Sequence, residues 1–203
     1  MNLLAHSYPS SLPRSTRFRA TADGQALDVL THPSADHASF ECDGPVAIEI
    51  ECSESPSEVK VRPLRLDIEA EIQGNRIRFL APGPQALQVE VDGTHLLYVY
   101  ALAPAAPTPQ GPDVRIFRSG AVHEAGLIVL KDGETCWIEA GAVVRGSIRA
   151  ANGSGFHIGG YGILDGGYWP EHEGRCRKSL VLDHCRDSRV EDILMLGPTS
   201  WML

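Results

Sequence analysis

No stretch of the 203 residues approaches the roughly 18 apolar positions of a membrane-spanning helix. Nor does the N-terminal MNLLAHSYPSSLPRSTRF hold an apolar run long enough for a signal-peptide core. The expectation is a cytoplasmic chain with reduced thiols and no membrane partner. A basic excess is missing too: 18 Lys and Arg against 26 Asp and Glu leave a formal net charge of -8. That excludes a general nucleic-acid binder, which needs positive charge for phosphates. It also provides no long-range pull on acidic polysaccharides, so such a ligand requires a local basic patch. The five cysteines, Cys42, Cys52, Cys136, Cys176 and Cys185, include no C-x-x-C pair of the kind that binds zinc. Only Cys176 and Cys185 lie near histidines, His172 and His184. Idle thiols are the plainer reading there, and neither metal nor cofactor is expected. In the second half of the chain no helical period persists beyond about two turns. No nucleophile elbow, phosphate loop or H-E-x-x-H motif occurs.

What the chain does have is turn-formers. Twenty glycines and fourteen prolines favour many short strands over long helices. The segment ALAPAAPTPQGPD, residues 101–113, reads as a stiff, extended linker. It divides the chain into a domain over 1–100 and another over 114–203. Upstream, period-two runs are frequent. KVRPLRLDIEAEI offers Val61, Leu64, Leu66, Ile68, Ala70 and Ile72 as inward candidates from a strand pair broken at Pro63. RIRFL adds Ile77 and Phe79, ALQVEV adds Leu87, Val89 and Val91, and LLYVY reads as a more continuous apolar strand. QGNR and EVDGTHL are tight turns around Gly74 and Gly93. About seven short strands in this space predict a small antiparallel β-sandwich.

Downstream, the runs LIVL, CWIE, VVRGSIRA, FHIGGYGILDG, SLVLDHC and RVEDILMLG arrive at nearly regular spacing. Each ends at Gly, Asp-Gly or a similar corner. That punctuation fits a solenoid in which each coil contributes a few strands and stacks on the last. An ordinary antiparallel sandwich accounts for part of it but not for Gly-Gly and Asp-Gly corners on nearly every strand.

Four motifs here occur in an order that resembles a known family. They are the coil corner Gly160 to Gly166, the stretch with Trp169, Arg177 and Lys178, the strand Ser179 to Cys185, and the turn Gly197 to Trp201. Together they resemble the early coils of polygalacturonase-like enzymes, glycoside hydrolase family 28. The family 49 dextranase-like enzymes share that helix and also place a β-sandwich in front of it. The resemblance implies an all-β fold: an N-terminal antiparallel sandwich, then the first coils of a right-handed parallel β-helix with a carbohydrate groove. It further implies inverting hydrolysis, in which two carboxyl groups stand about 6.5–9.5 Å apart to admit water. In the family those groups sit in Asn-x-Asp and Asp-Asp motifs, followed by Gly-His-Gly and Arg-x-Lys. None occurs here: the only asparagines are Asn2, Asn75 and Asn152, and none has Asp two residues on. The chain therefore resembles the front part of a glycosidase, expected to be inactive as it stands and to self-associate through an open last coil.

No catalytic residue is assigned. Candidate ligand contacts are Trp169, His172, Arg175, Arg177 and Lys178, in GYWPEHEGRCRK, and Trp201. An aromatic face stacks on a sugar ring and cations meet uronate carboxylates. The competing reading has Trp169 covering an apolar flank while the cations stay in water. Asp165 reads as a cap on turn amides, Trp137 as packing, and Asp183, Asp187, Glu191 and Asp192 around His184 as turn and edge charges. A non-catalytic carbohydrate-binding or assembly module is the alternative function.

Overall fold

Alternation of apolar and polar residues builds the first half of the chain. A computed structural model of the protein describes residues 2–33, 35–167 and 178–197. The chain divides into two compact units, Met1–Ala105 and Ala106–Leu203. The first holds ten strands: β1 (Leu3–Ala5), β2 (Phe18–Ala22), β3 (Gln25–Leu27), β4 (Asp36–Cys42), β5 (Val46–Cys52), β6 (Val59–Arg62), β7 (Glu71–Gln73), β8 (Arg76–Ala81), β9 (Gln85–Val91) and β10 (His95–Leu102). They form two five-stranded sheets, β1-β4-β10-β9-β6 and β3-β2-β5-β8-β7. Every second residue of β5, β8, β9 and β10 is buried. Those residues, with Phe18, Phe40 and Val61, make the core between the sheets. A hairpin joins β9 to β10 through Asp92 and Gly93, both at positive φ (51° and 68°); that geometry suits the Asp-Gly pair.

The structure departs from the sequence expectation in three places. The sandwich is not wholly antiparallel, because β10 pairs with β4 in parallel from Leu97↔Asp36 to Leu102↔Glu41. Leu64 and Ile72 do not point inward: they are 63% and 39% exposed. After Pro63 the chain makes a 3-10 turn over Leu64–Leu66 in place of a strand, and β7 is an edge strand with all three residues exposed. Leu66, Ile68 and Ala70 are partly buried against the core. LLYVY alternates too, with Leu97 and Val99 inside and Leu96, Tyr98 and Tyr100 half-buried.

The second unit has β11 (Val114–Phe117), β12 (Val122–Val129), β13 (Thr135–Ile138), β14 (Val143–Ala151), β15 (His157–Gly159), β16 (Ile163–Asp165), β17 (Leu180–Asp183), β18 (Arg189–Val190) and β19 (Leu194–Leu196). All their pairings are parallel. One sheet runs β11-β13-β15-β18; the other runs β12-β14-β16-β19, with β17 also on β14. Alternating between two parallel sheets in sequence order is what coiling does, and these strands form coils of a right-handed parallel β-helix. Ile128, Cys136, Ile138, Val144, Ile148, Phe156, Ile158, Leu164 and Leu180 stack inside it. The corners need glycine: a Cβ on Gly160, at φ 102°, would lie 2.1 Å from the Ile138 carbonyl oxygen of the coil below.

Candidate functional site

The register of β14 locates the candidate site. Val143–Arg145 pair with Ile163–Asp165 of β16, whereas Ile148–Ala151 pair with Leu180–Asp183 of β17. Only Gly146 and Ser147 of β14 separate the partners of Asp165 and Leu180, although fourteen residues of sequence lie between those two. Asp165 and Leu180 thus flank, on one partner strand, the segment read from sequence as a connection between coils.

Its two feet are well held. On the outgoing side the Gly166 N–H donates to the Leu196 carbonyl at 2.9 Å. The Gly167 N–H donates to Asp165 Oδ1 at 2.9 Å, so Asp165 caps its turn. On the return side the Ser147 hydroxyl donates to the Lys178 carbonyl at 2.8 Å, and the Ile148 N–H to the Ser179 carbonyl at 2.9 Å. The feet also lie close together, since a Cβ on Gly166 would come 2.4 Å from Ser179 Oγ. That hydroxyl is buried without a hydrogen-bond partner among the described residues. Lys178 is half-buried at the returning foot. The other predicted contacts, Trp169, His172, Arg175, Arg177 and Trp201, lie outside the described residues.

Beside the feet, Glu124, Arg145 and Asp165 occupy one row across β12, β14 and β16. Arg145 contacts Glu124 Oε1 at 2.7 Å, and its side chain is only 21% exposed. Two strand spacings set the Glu124 and Asp165 backbones about 9.5 Å apart. Spacing alone does not make them an acid and a base, because Glu124 is ion-paired and Asp165 is engaged by its turn.

The remaining sequence candidates resolve into structural contacts. Trp137 is buried outside the inner cluster, edge-on to His157 with ring centroids 5.7 Å apart. His157 Nε2 lies 2.9 Å from Glu191 Oε1, which also contacts Arg189 at 3.4 Å. His184 and Asp183 pair at 2.7 Å in an exposed turn. Asp187 and Asp192 occupy positive-φ corners. No group of three or more His, Cys, Asp or Glu among the described residues could hold a metal ion. No helix among them is long and apolar enough to cross a membrane. In the sandwich a groove of about 420 Å³ is lined by Arg14, Arg19, Asp28, Glu49 and Glu51. Its charges already pair among themselves and with Arg76 and Arg78.

Sequence reasoning missed two things. One is Glu139, which joins the first two coils by accepting from Arg118 at 2.6 Å and the Ser119 N–H at 2.9 Å. Burial opposes its ionisation, but those donors outweigh it and hold the carboxyl below its usual range. The other is a buried polar layer on β4, for which the only sequence signal is the alternation of His37, Ser39 and Glu41 with Ala38, Phe40 and Cys42.

The fold, a β-sandwich followed by a parallel β-helix, has a counterpart among solved structures. The chain is similar in structure to Dex49A from Penicillium minioluteum, with a TM-score of 0.59 and 13% sequence identity over 97% of this chain. It spans 61% of the length of that protein. No protein-family profile matches the chain, and no curated protein matches it in sequence.

Proposed function

We propose that this chain engages oligosaccharides as a glycoside-hydrolase-type β-helix protein, and that these 203 residues alone do not hydrolyse them. The observation that carries the reading is that Asp165 and Leu180, which flank the segment 166–179, both pair with β14 with only Gly146 and Ser147 between their partners. The segment's sequence supplies Trp169 for stacking on a sugar ring and His172, Arg175, Arg177 and Lys178 for hydrogen bonds and charge. In a chain of net charge -8, this local concentration of cations favours a uronate polymer of the pectin type. Trp201 is a further aromatic contact. The neighbour in fold is a family 49 dextranase, which supports a second reading, a neutral glucan. The absence of Asn-x-Asp and Asp-Asp motifs from these residues supports the lack of hydrolysis.

Titration of the chain with oligogalacturonides and, separately, isomaltooligosaccharides tests the proposal. Saturable binding of the first class that weakens at least tenfold in Trp169→Ala is the expected result. Preference for the second class transfers the reading to glucans, and affinity for neither refutes it. Release of reducing ends from either polymer overturns the inactivity.

A further inference from the structure

The outer face of β4 presents His37, Ser39 and Glu41, all three buried. Chain preceding β2 holds onto this layer. β1 pairs with β4 from Leu3↔Cys42 to Ala5↔Phe40, and the His6 N–H donates to the Ser39 carbonyl at 3.2 Å. The Tyr8 hydroxyl lies 2.8 Å from Ser39 Oγ. His6 Nδ1 is 2.9 Å from that same oxygen, and its Nε2 is 3.2 Å from Glu41 Oε1. The second Glu41 oxygen accepts the Ala105 N–H at 2.7 Å.

With Glu41 ionised, one arrangement of protons suits this chain of groups. Neutral His6 donates from Nε2 to Glu41, Ser39 donates to His6 Nδ1, and Tyr8 donates to Ser39. A second proton on His6 makes Nδ1 a donor as well, so Ser39 Oγ accepts from both His6 and Tyr8 and its own hydrogen is left with no acceptor in the network. His37 is more exposed to the same problem, because both its ring nitrogens are buried without a hydrogen-bond partner. Its backbone exchanges two 2.9 Å hydrogen bonds with Leu30, and Leu30 bridges to Arg14. The Arg14 guanidinium in turn binds the Tyr8 and Leu12 carbonyls and Asp28.

The titratable groups around His37 offer a proton little help. Asp36 already accepts the Ser15 hydroxyl, and His32 adds like charge when protonated. Tyr98 is the register neighbour on β10, with Tyr100 beside Ser39, and His6, Tyr8 and Glu41 are committed to the network above. Burial, reinforced by His32, pushes the His37 ring down to about 4. Burial likewise lowers His6, against the opposing pull of Glu41.

We propose that this polar layer is an acid-released clamp: at neutral pH it holds residues 3–14 against β4, and proton uptake by His37 and His6 frees them while the two-sheet core stays folded. The inference is independent of the carbohydrate reading. A histidine whose folded pKa lies below its unfolded value holds fully above about 6.5 and lets go as pH falls toward about 4. That depression corresponds to about a 300-fold bias from His37 alone.

Amide and histidine-ring NMR spectra of the full chain from pH 7.5 to 4 test it. The amides of residues 3–14 should leave their native positions together, tracking the histidine rings, with a midpoint between 4 and 6.5. Amides of residues 48–50 and 77–79 should hold. In His37→Phe, which needs no partner, the arm's release should move to lower pH by at least half a unit. Loss of arm and core in one step, or an arm unchanged at pH 4, refutes the clamp in the native chain without recourse to any variant. If His37→Phe does not fold, His6→Gln replaces it: an amide that donates to Glu41 and accepts from Ser39 without titrating should also lower the release pH, and an unchanged midpoint contradicts the network.

Discussion

Substituting alanine for three glycines in the β-helix separates backbone conformation from coil-to-coil contact. Gly120 sits at φ 77°, and a Cβ added there meets nothing within 4 Å. Gly120→Ala therefore carries only the left-handed penalty, about 1 kcal/mol. Gly162 is the converse: its φ is not in the left-handed range, yet a Cβ would lie 2.2 Å from Ile138 Cγ2 and 2.6 Å from the Glu139 carbonyl oxygen. Overpacking of that kind costs about 1–3 kcal/mol. Gly160 combines both, at φ 102° with the Ile138 carbonyl oxygen 2.1 Å away. Because that oxygen is backbone on the next coil, no rotamer change relieves it, and the two effects sum to about 2–4 kcal/mol. All three tryptophans, Trp137, Trp169 and Trp201, lie in the second unit, so their fluorescence during urea unfolding reports on that unit alone. The expected order of lost stability is Gly160→Ala, then Gly162→Ala, then Gly120→Ala. A Gly160→Ala protein within about 0.5 kcal/mol of Gly120→Ala would refute the close stacking of coils two and three.

Other perturbations follow from the same geometry. Ser147→Ala should lose about 1 kcal/mol with its hydrogen bond to Lys178, whereas Ser179→Ala, deleting a hydroxyl with no described partner, should be neutral or slightly stabilising; urea midpoints of the pair decide this, and a larger loss in Ser179→Ala contradicts it. Glu139→Gln should cost about 1–2 kcal/mol at pH 7. Because the folded Glu139 pKa is depressed, its contribution is present above the unfolded value near 4.5 and fades as pH falls through the folded one. The wild-type and Glu139→Gln stabilities should therefore converge in acid, and a gap that persists at pH 3 would contradict the assignment. We also propose that the exposed Leu182 and Val190, 36% and 37% accessible, promote association between copies. Sedimentation at tens of micromolar should show dimers that Leu182→Glu disperses, and a monomer throughout refutes it.

The parts of this fold that were legible from sequence are those set by local periodicity. Ile77, Phe79, Leu87, Val89 and Val91 alternate along the chain and are all in the sandwich core. The glycine-punctuated runs after residue 126 correspond to stacked strands because every corner recurs at the same place in the coil. What escaped depends on distant partners. Leu64 reads as an inward residue until Pro63 and the turn behind it break the strand. The parallel pairing of β10 with β4 is decided by how the intervening strands cross between sheets, which alternation does not encode. His37, Ser39 and Glu41 look like the solvent face of β4, yet all three are buried, with His6 and Tyr8 bonded to Ser39 and His6 to Glu41. Sequence marks 166–179 as a connection, but not that the flanking Asp165 and Leu180 share one partner strand, β14.

The most direct test of the carbohydrate reading is calorimetric titration of the 203-residue chain with oligogalacturonides at low ionic strength, repeated with Trp169→Ala. Saturable binding that the substitution weakens at least tenfold and that salt reduces is the expected result, since the cations of the 167–178 sequence would meet uronate charge. Neither uronate nor glucan oligomers binding, or binding indifferent to Trp169, would contradict it.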